Sequence, residues 1–438
     1  MSLTLTVPPR LDAPRLAGLP VAVIGAGPVG LAAAAYLVER GIDVVVYEAG
    51  AVAATAIRSW GHTRLFSPWQ YVVDPASVRL LEKTGWQAPL ATQLPTGSEL
   101  VERYVAPLAA TPELAPHIVY NARVTAVSRQ GMDRTRSTGR AGTPFVLRLN
   151  GPDGTTERLA RAVIDASGTY STPNALSASG LPLTAEADVS AAISHALPDV
   201  LGSERERFAG KHTLVVGAGH SAANTLLKLA ELARQVPGTT ITWAIRGSNP
   251  VRVYGSDDDA LQARGKLGSA TRDLVSDGVI ALVDRFEIDD VCPAADNRVS
   301  VLGRRAGEPA TVEADVVVNA TGFRPDIDML REIRLALDDV VEAPRMLAPL
   351  IDPNLHSCGA VPPHGVAELA HPEPNFFVAG MKSYGRAPTF LLLTGYEQVR
   401  SIAAEIAGDH VSARAVQLVL PETGVCSTST SETPACCR

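Results

Sequence analysis

The sequence predicts an α/β fold with two Rossmann-like dinucleotide-binding domains, the second inserted into the first. Three observations carry this. Residues 21–30 read VAVIGAGPVG, placing Gly25, Gly27 and Gly30 in the GxGxxG pattern. Residues 213–222 read TLVVGAGHSA and repeat it as GxGxxA at Gly217, Gly219 and Ala222, with Ser221 in the same turn. After the second turn the chain returns to strand-and-helix character, with NFFVAG at 375–380 and a helical pattern over 389–408. Each glycine turn follows an apolar run suited to a buried parallel strand and opens an alanine-rich helix, the context that gives the pattern its meaning. The first glycine makes the tight turn and the second lets backbone approach a pyrophosphate. The third allows close helix–strand packing, with phosphates held at the helix N-terminus.

The residue ending the second strand of each domain separates the two nucleotides. In the first domain the strand IDVVVYE ends in Glu48. A carboxylate there accepts from ribose hydroxyls and repels a 2′-phosphate, which suits FAD or NAD. In the second domain the strand ITWAI is followed by Arg246, Gly247 and Ser248. A guanidinium suits a 2′-phosphate through charge-assisted hydrogen bonds, with a solvated surface arginine as the alternative and Arg252 as a second candidate. FAD on the first domain and NADPH on the second is the expectation. The expected boundaries are 1–195 and 320–410 for the two parts of the FAD domain and 196–319 for the NADPH domain. A flexible, cysteine-containing tail follows at 411–438.

Composition excludes several classes. A 438-residue chain with 46% hydrophobic residues is long enough for two or three folded domains. A net charge of −7 without a lysine or arginine block argues against nucleic acid as a partner. The uncharged stretch 21–38 is interrupted by Gly25, Gly27, Pro28 and Gly30, so a nucleotide turn explains it and no membrane partner is expected. The start, MSLTLTVPPRLDAPRLAG, lacks a basic region followed by an apolar core, which predicts a cytoplasmic protein.

Between the domains' motifs, 51–97 reads as an irregular region lying over a cofactor. The run TGSELVERYVAPLA after Pro95 reads as a helix capped by Ser98. Strand-like segments follow at 117–128, 144–150 and 155–160, and 161–173 reads as a strand entering a Gly/Ser/Thr turn.

The order GAGPVG, DASGTYSTP, VVGAGHSA, VVNATGFRPD and FFVAG resembles the two-dinucleotide-domain flavoproteins, and within them the class B flavin monooxygenases, over residues 20–410. The resemblance implies that the turn at Ala320, Thr321 and Gly322 lies near both cofactors, and that Gly380 holds the flavin where the last strand ends. Many relatives carry Gly-Asp there; this chain has Gly380-Met381. The monooxygenase signature ahead of the second turn is incomplete, leaving SHALPD with His195 and Asp199 in the matching place. The sequence is also similar to flavoproteins encoded with arsenic-resistance genes.

In such a flavoprotein the cofactor supplies the redox chemistry and the protein supplies orientation and water exclusion. The segment RSWGHTRLFSPWQY at 58–71 suits a wall over the flavin, with Trp60, Phe66 and Trp69 excluding water. Arg58, His62 and Arg64 offer donors to a flavin oxygen or an anionic substrate. Trp60, His62 and Arg64 are the expected catalytic-site residues, a packed irregular loop being the alternative. Lys382, Tyr384 and Arg386 are expected either to contact flavin or substrate or to lie solvated on a loop. No CxxC pair occurs, yet Cys426, Cys436 and Cys437 crowd the C-terminus. Three thiolates can surround a trivalent arsenic, the alternative being idle thiols. The expected activity is NADPH- and FAD-dependent monooxygenation of a small soft nucleophile, a trivalent arsenical, with molecular oxygen as co-substrate. A dithiol or metal(loid) reductase and a metalloid-sensing flavoprotein are the alternatives.

Overall fold

The computed structural model describes residues 15–250, 254, 262–353, 355, 361–388 and 390–418. Two compact units emerge. One runs to Thr172 and resumes with Arg324–Ile351 and again at Val361; the other holds Pro173–Phe323.

The first unit is built on a five-stranded parallel sheet. Strand Val21–Ile24 lies at its centre, flanked by Val44–Tyr47 and Ala162–Asp165; Ile118–Val119 and Phe376–Val378 lie outside those two. The strands Val21–Ile24 and Ala162–Asp165 are buried at every residue, as expected of parallel strands covered on both faces. Helix Pro28–Glu39 buries every residue from Pro28 to Leu37. Its run of alanines explains how: small side chains let it sit against the sheet while helices Leu392–Ile406 and Pro75–Glu82 pack on its other faces. An antiparallel meander of Arg123–Arg129, Phe145–Gly151 and Gly154–Ala160 completes the unit.

The second unit repeats the plan. Strand His212–Val216 is central, between Thr240–Ala244 and Val316–Asn319, with Ala281–Val283 and Ile193–Ser194 at the edges. Its own antiparallel meander is Phe286–Pro293, Val299–Arg305 and Glu308–Ala314. The edge strand Ile193–Ser194 precedes the glycine turn in sequence, whereas its counterpart in the first unit, Phe376–Val378, comes last. This moves the boundaries expected at 196 and 319. The main stretch of the second unit runs from Pro173 to Phe323, because 193–194 pairs with Val317–Val318 and Pro173 bridges to Phe323.

Two local expectations change as well. The N-cap of the helix near residue 97 is Thr96 rather than Ser98. Thr96 Oγ1 accepts from Glu99 N at 3.1 Å while Glu99 Oε2 accepts from Thr96 N at 2.7 Å, a reciprocal capping box. Within the supposedly irregular 51–97 lies helix Pro75–Glu82, started by Asp74, whose carboxylate accepts from Ser77 N at 2.8 Å. Burial pushes the Asp74 carboxyl up to about 6, partly opposed by the Ser77 N–H and hydroxyl. No helix among the described residues is long and apolar enough to cross a membrane.

The returning segment of the first unit is tied down by a buried ion triad. Glu373, with its side chain fully inaccessible, accepts from Arg129 Nε at 2.8 Å and from Arg140 Nη2 at 2.8 Å. Arg129 also donates to the Thr143 and Pro374 carbonyls and lies 3.5 Å from the Phe145 ring centroid. Removing the shared carboxylate leaves two buried guanidiniums facing each other. The expected cost of Glu373→Ala is about 3–5 kcal/mol of unfolding free energy, read from chemical denaturation. A loss below about 1 kcal/mol would show that water reaches the triad.

Candidate functional site

The first nucleotide turn divides its three glycines by what surrounds them. A Cβ on Gly25 would sit 2.9 Å from the Ala166 carbonyl oxygen, and one on Gly30 would sit 1.9 Å from the Gly25 carbonyl oxygen. Both positions are closed by the protein's own backbone. A Cβ on Gly27 would meet nothing within 4 Å. The opening is therefore beside the middle glycine, which is also the N-cap of helix Pro28–Glu39 and has no side-chain cap over it. Uncapped N–H groups at a helix start suit an anion. Glu48 closes the other side. Its Oε2 accepts from Ala26 N and its Oε1 from Gly50 N, both at 2.8 Å, so the carboxylate is fixed beside the turn with a lone pair on each oxygen still available. This cradle fits the pyrophosphate and ribose of a dinucleotide.

The second turn has the same division. A Cβ on Gly217 would lie 2.1 Å from the Ala320 carbonyl oxygen, while one on Gly219 would meet nothing within 4 Å. Gly219 caps helix His220–Gln235 without a side-chain bond, and Ser221 lies in that helix's first turn. Ala222 is fully buried. Arg246 is exposed and donates from Nη1 to the Ala178 carbonyl at 3.2 Å. The Thr321–Gly322 turn is held by a residue that sequence reading missed. Asn174 donates from N to the Gly322 carbonyl at 2.9 Å and from Nδ2 to the Thr321 carbonyl at 3.1 Å. Thr321 Oγ1 donates to Asn319 Oδ1 at 2.6 Å, and Asn319 Nδ2 donates to the Asn174 carbonyl. Position 174 follows the apolar-poor STP run, so only pairing across the unit reveals its part. His195 is exposed and stacks on Phe323, their ring centroids 5.6 Å apart.

At the carboxyl end of the first sheet, the structure corrects the expectation for residues 382 and 384. Lys382 is not a solvated or ligand-reaching loop residue. Its Nζ lies 2.6 Å from Asp165 Oδ2 and 3.2 Å from Ser167 Oγ, with both charged side chains inaccessible. Tyr384 is buried too, while Arg386 is exposed. Gly380 donates its N–H to Gln398 Oε1 at 2.8 Å, and a Cβ there would lie 3.3 Å from Val29. The Gln398 amide is oriented in turn by Ser383 Oγ and His364 Nε2, each at 2.9 Å. Burial holds His364 below the ordinary histidine range, against the pull of the Pro362 carbonyl at 3.0 Å from Nδ1. A neutral ring with its proton on Nδ1 accepts at Nε2, which fits the Gln398 contact.

The aromatic segment separates into different roles. Trp60 is half-buried over Gly97, where a Cβ would come within 2.9 Å of its ring. Backbone bonds Gly97 N to Thr63 O and Ser98 N to Gly61 O fasten the two strands of this loop together. His62 is exposed. Arg64 is turned to the loop itself, donating to the Leu94 carbonyl and lying 3.7 Å from Glu99. Trp69 is a core residue with the Arg103 guanidinium 5.6 Å from its ring. Cys426, Cys436, Cys437 and Arg252 lie outside the described residues, within which no cluster of three His, Cys, Asp or Glu side chains suits a metal ion.

Residues 22–348 match the pyridine nucleotide-disulphide oxidoreductase family, and the chain belongs to it. Indole-3-pyruvate monooxygenase YUCCA6 of Arabidopsis thaliana is 28% identical over 216 residues, which are 49% of this chain and 45% of that protein. The alignment thus spans less than half of the curated relative. Among solved structures, bacillithiol disulfide reductase of Bacillus cereus superposes with a TM-score of 0.63 at 20% identity, over 89% of this chain and 99% of that one. A cadaverine monooxygenase of Erwinia amylovora, solved bound to FAD, gives 0.60 at 14% identity over 96% and 99%. The flavin-containing monooxygenase of Stenotrophomonas maltophilia gives 0.56 at 22% over 89% and 98%. These structures share the fold.

The glycines of the first turn make a paired test. Gly30→Ala places a methyl against backbone, so it should destabilise the unit in thermal unfolding. Gly27→Leu enters open space, so the protein should fold while losing FAD, read as the absorbance of the purified protein. Stoichiometric FAD in Gly27→Leu would show that the dinucleotide lies elsewhere.

Proposed function

We propose that the chain is an FAD- and NADPH-dependent monooxygenase acting on a small soft nucleophile, a trivalent arsenical. FAD sits on the first unit and NADPH on the second. The observation that carries the assignment is the contrast at equivalent strand ends. Glu48, next after the strand Val44–Tyr47, presents a carboxylate fixed at the open turn. The strand Thr240–Ala244 is followed by Arg246 and no acid. The first favours ribose hydroxyls and the second a 2′-phosphate.

When bound, the flavin supplies electron transfer from the reduced nicotinamide and activation of oxygen. The overall balance is substrate, O2, NADPH and a proton giving oxidised substrate, NADP+ and water. Around it, the chain's residues bind and orient. Glu48 accepts from ribose hydroxyls, and the N-terminus of helix Pro28–Glu39 takes the pyrophosphate. The Lys382–Asp165 pair brings no net charge to the carboxyl end of the sheet. Trp60 excludes water, and His62 offers a donor toward the substrate. Oxygen insertion at a lone pair requires no general base, in keeping with a site of this composition. Cys426, Cys436 and Cys437 collect the soft metalloid for the flavin pocket.

A reductase reading draws on the likeness to a bacillithiol disulfide reductase and on the vicinal Cys436-Cys437 pair. The sequence encodes no CxxC beside either nucleotide turn, and the named activity of the curated relative is monooxygenation. A metalloid sensor is the third reading.

Three measurements test the proposal. Arg246→Ala should weaken apparent NADPH affinity about ten- to hundredfold, the loss of a charge-assisted phosphate contact of about 1.5–3 kcal/mol, with NADH kinetics little changed. An unchanged cofactor preference would remove Arg246 from the site. NADPH-dependent oxygen uptake with arsenite separates the activities. A monooxygenase couples uptake to arsenite oxidation, a reductase consumes NADPH without oxygen, and a sensor does little of either. Truncation after Leu420 should raise KM for arsenite with a smaller effect on kcat and unchanged FAD content. Unchanged kinetics at limiting arsenite would make the tail an idle appendage.

A further inference from the structure

The two nucleotide turns differ at their third position, and the difference has a structural cost. In the first turn the Gly25 carbonyl oxygen sits directly against Gly30, where a Cβ would lie only 1.9 Å away. The equivalent residue of the second turn, five positions after its first glycine, is Ala222, which carries that Cβ and is fully buried. A methyl group there cannot coexist with a carbonyl set as it is in the first turn. Gly217 must direct its oxygen elsewhere, and its φ of +131° against +98° at Gly25 shows a different backbone setting.

The displaced carbonyl meets a side-chain donor. Trp243 Nε1 donates to the Gly217 carbonyl at 2.7 Å, and the indole is fully buried. Trp243 lies on the strand Thr240–Ala244, paired in parallel with His212–Val216, which leads into the turn. Its neighbour Ala244 accepts the Gly217 N–H at 3.1 Å. Adjacent residues of one strand therefore hold Gly217 at both its amide hydrogen and its carbonyl oxygen. In the first unit the N–H contact is matched by Gly25 N to the Tyr47 carbonyl at 2.8 Å. The residue before Tyr47 is Val46, which has no donor. The Trp243 ring is itself met edge-on by Tyr254, 6.2 Å between centroids.

We propose that Trp243 is a positioning residue for the nicotinamide dinucleotide. By fixing the Gly217 carbonyl away from Ala222, it keeps a GxGxxA turn in the shape that receives a pyrophosphate. The inference rests on the assignment of NADPH to the second unit. A part-buried carbonyl that loses its donor is left without that bond, so the turn would shift to find another partner.

The test titrates NADP+ into the FAD-loaded protein by calorimetry. Trp243→Phe removes the N–H along with part of the ring. Incorporating 3-benzothienylalanine at position 243 replaces the N–H with sulfur at nearly constant shape, and decides the matter if Trp243→Phe folds poorly. Both should bind NADP+ about tenfold more weakly with FAD content retained, and KM for NADPH should rise far more than turnover at saturation falls. Adding Ala222→Gly to Trp243→Phe should recover most of the lost affinity, because the carbonyl can then adopt the first-turn setting. A packing role would lower the melting temperature of Trp243→Phe but leave the benzothienyl protein's affinity unchanged and give no recovery with Ala222→Gly; either result overturns the proposal. Failure of the unaltered protein to bind NADP+ would instead overturn the nucleotide assignment and this inference with it.

Discussion

Both units are organised by one steric constraint, the passage of two strand ends past each other at a separation that leaves no room for a Cβ. In the first unit Gly25 faces the Ala166 carbonyl, and in the second Gly217 faces the Ala320 carbonyl. The facing residues follow strands that are immediate neighbours in the sheet, Val21–Ile24 beside Ala162–Asp165 and His212–Val216 beside Val316–Asn319. Because the backbones meet there, the following helix starts close to the carboxyl ends of the strands. Its uncapped N–H groups then border the opening beside the middle glycine. Strand order, helix placement and ligand opening follow from that contact, in line with the crevice that doubly wound sheets form where strand order reverses.

Insertion of the second unit creates a separate problem for the first, whose last strand and helix must find their places after a long excursion of the chain. Buried charge meets it. Glu373 is shared by Arg129 and Arg140, and Asp165 pairs with Lys382, so two acid–base sets join the returning segment to the part made before the insertion. Such groups gain little net stability over apolar packing because desolvation is costly. An unpaired buried charge is much worse, so wrong registers are penalised. Apolar contacts alone, such as the alanine-rich helix Pro28–Glu39 against Leu392–Ile406, discriminate less sharply between neighbouring alignments.

Much of the fold was legible because its strongest signals are local. Glycine spacing, the apolar strands before each turn and the helices after them lie within short windows, where periodicity and turn chemistry act on adjacent residues. Features formed between distant segments were not legible. The cap expected at Ser98 falls instead on Thr96, because the Glu99 side chain reaches back to the Thr96 N–H. The boundary expected near 196 missed the edge strand Ile193–Ser194, two residues that acquire strand character only by pairing with Val317–Val318. Helix Pro75–Glu82 is short and begins with proline in a segment otherwise broken by turns, so its pattern did not stand out.

The candidate site divides along the same line. By itself the sequence determined that two glycine-rich turns of the dinucleotide pattern exist, that Glu48 and not a basic residue follows the second strand of the first unit, and that Arg246 follows the corresponding strand of the second. These are properties of residue type and spacing. Only the tertiary structure decided that Lys382 is neutralised by Asp165, that Arg64 is turned to its own loop, and that Trp69 belongs to the core. It also decided that Asn174 and Trp243 hold the second unit's turns. The reason is physical. A long polar or aromatic side chain has several partners within reach of its rotamers, and which one it meets depends on segments that can be hundreds of residues away in sequence.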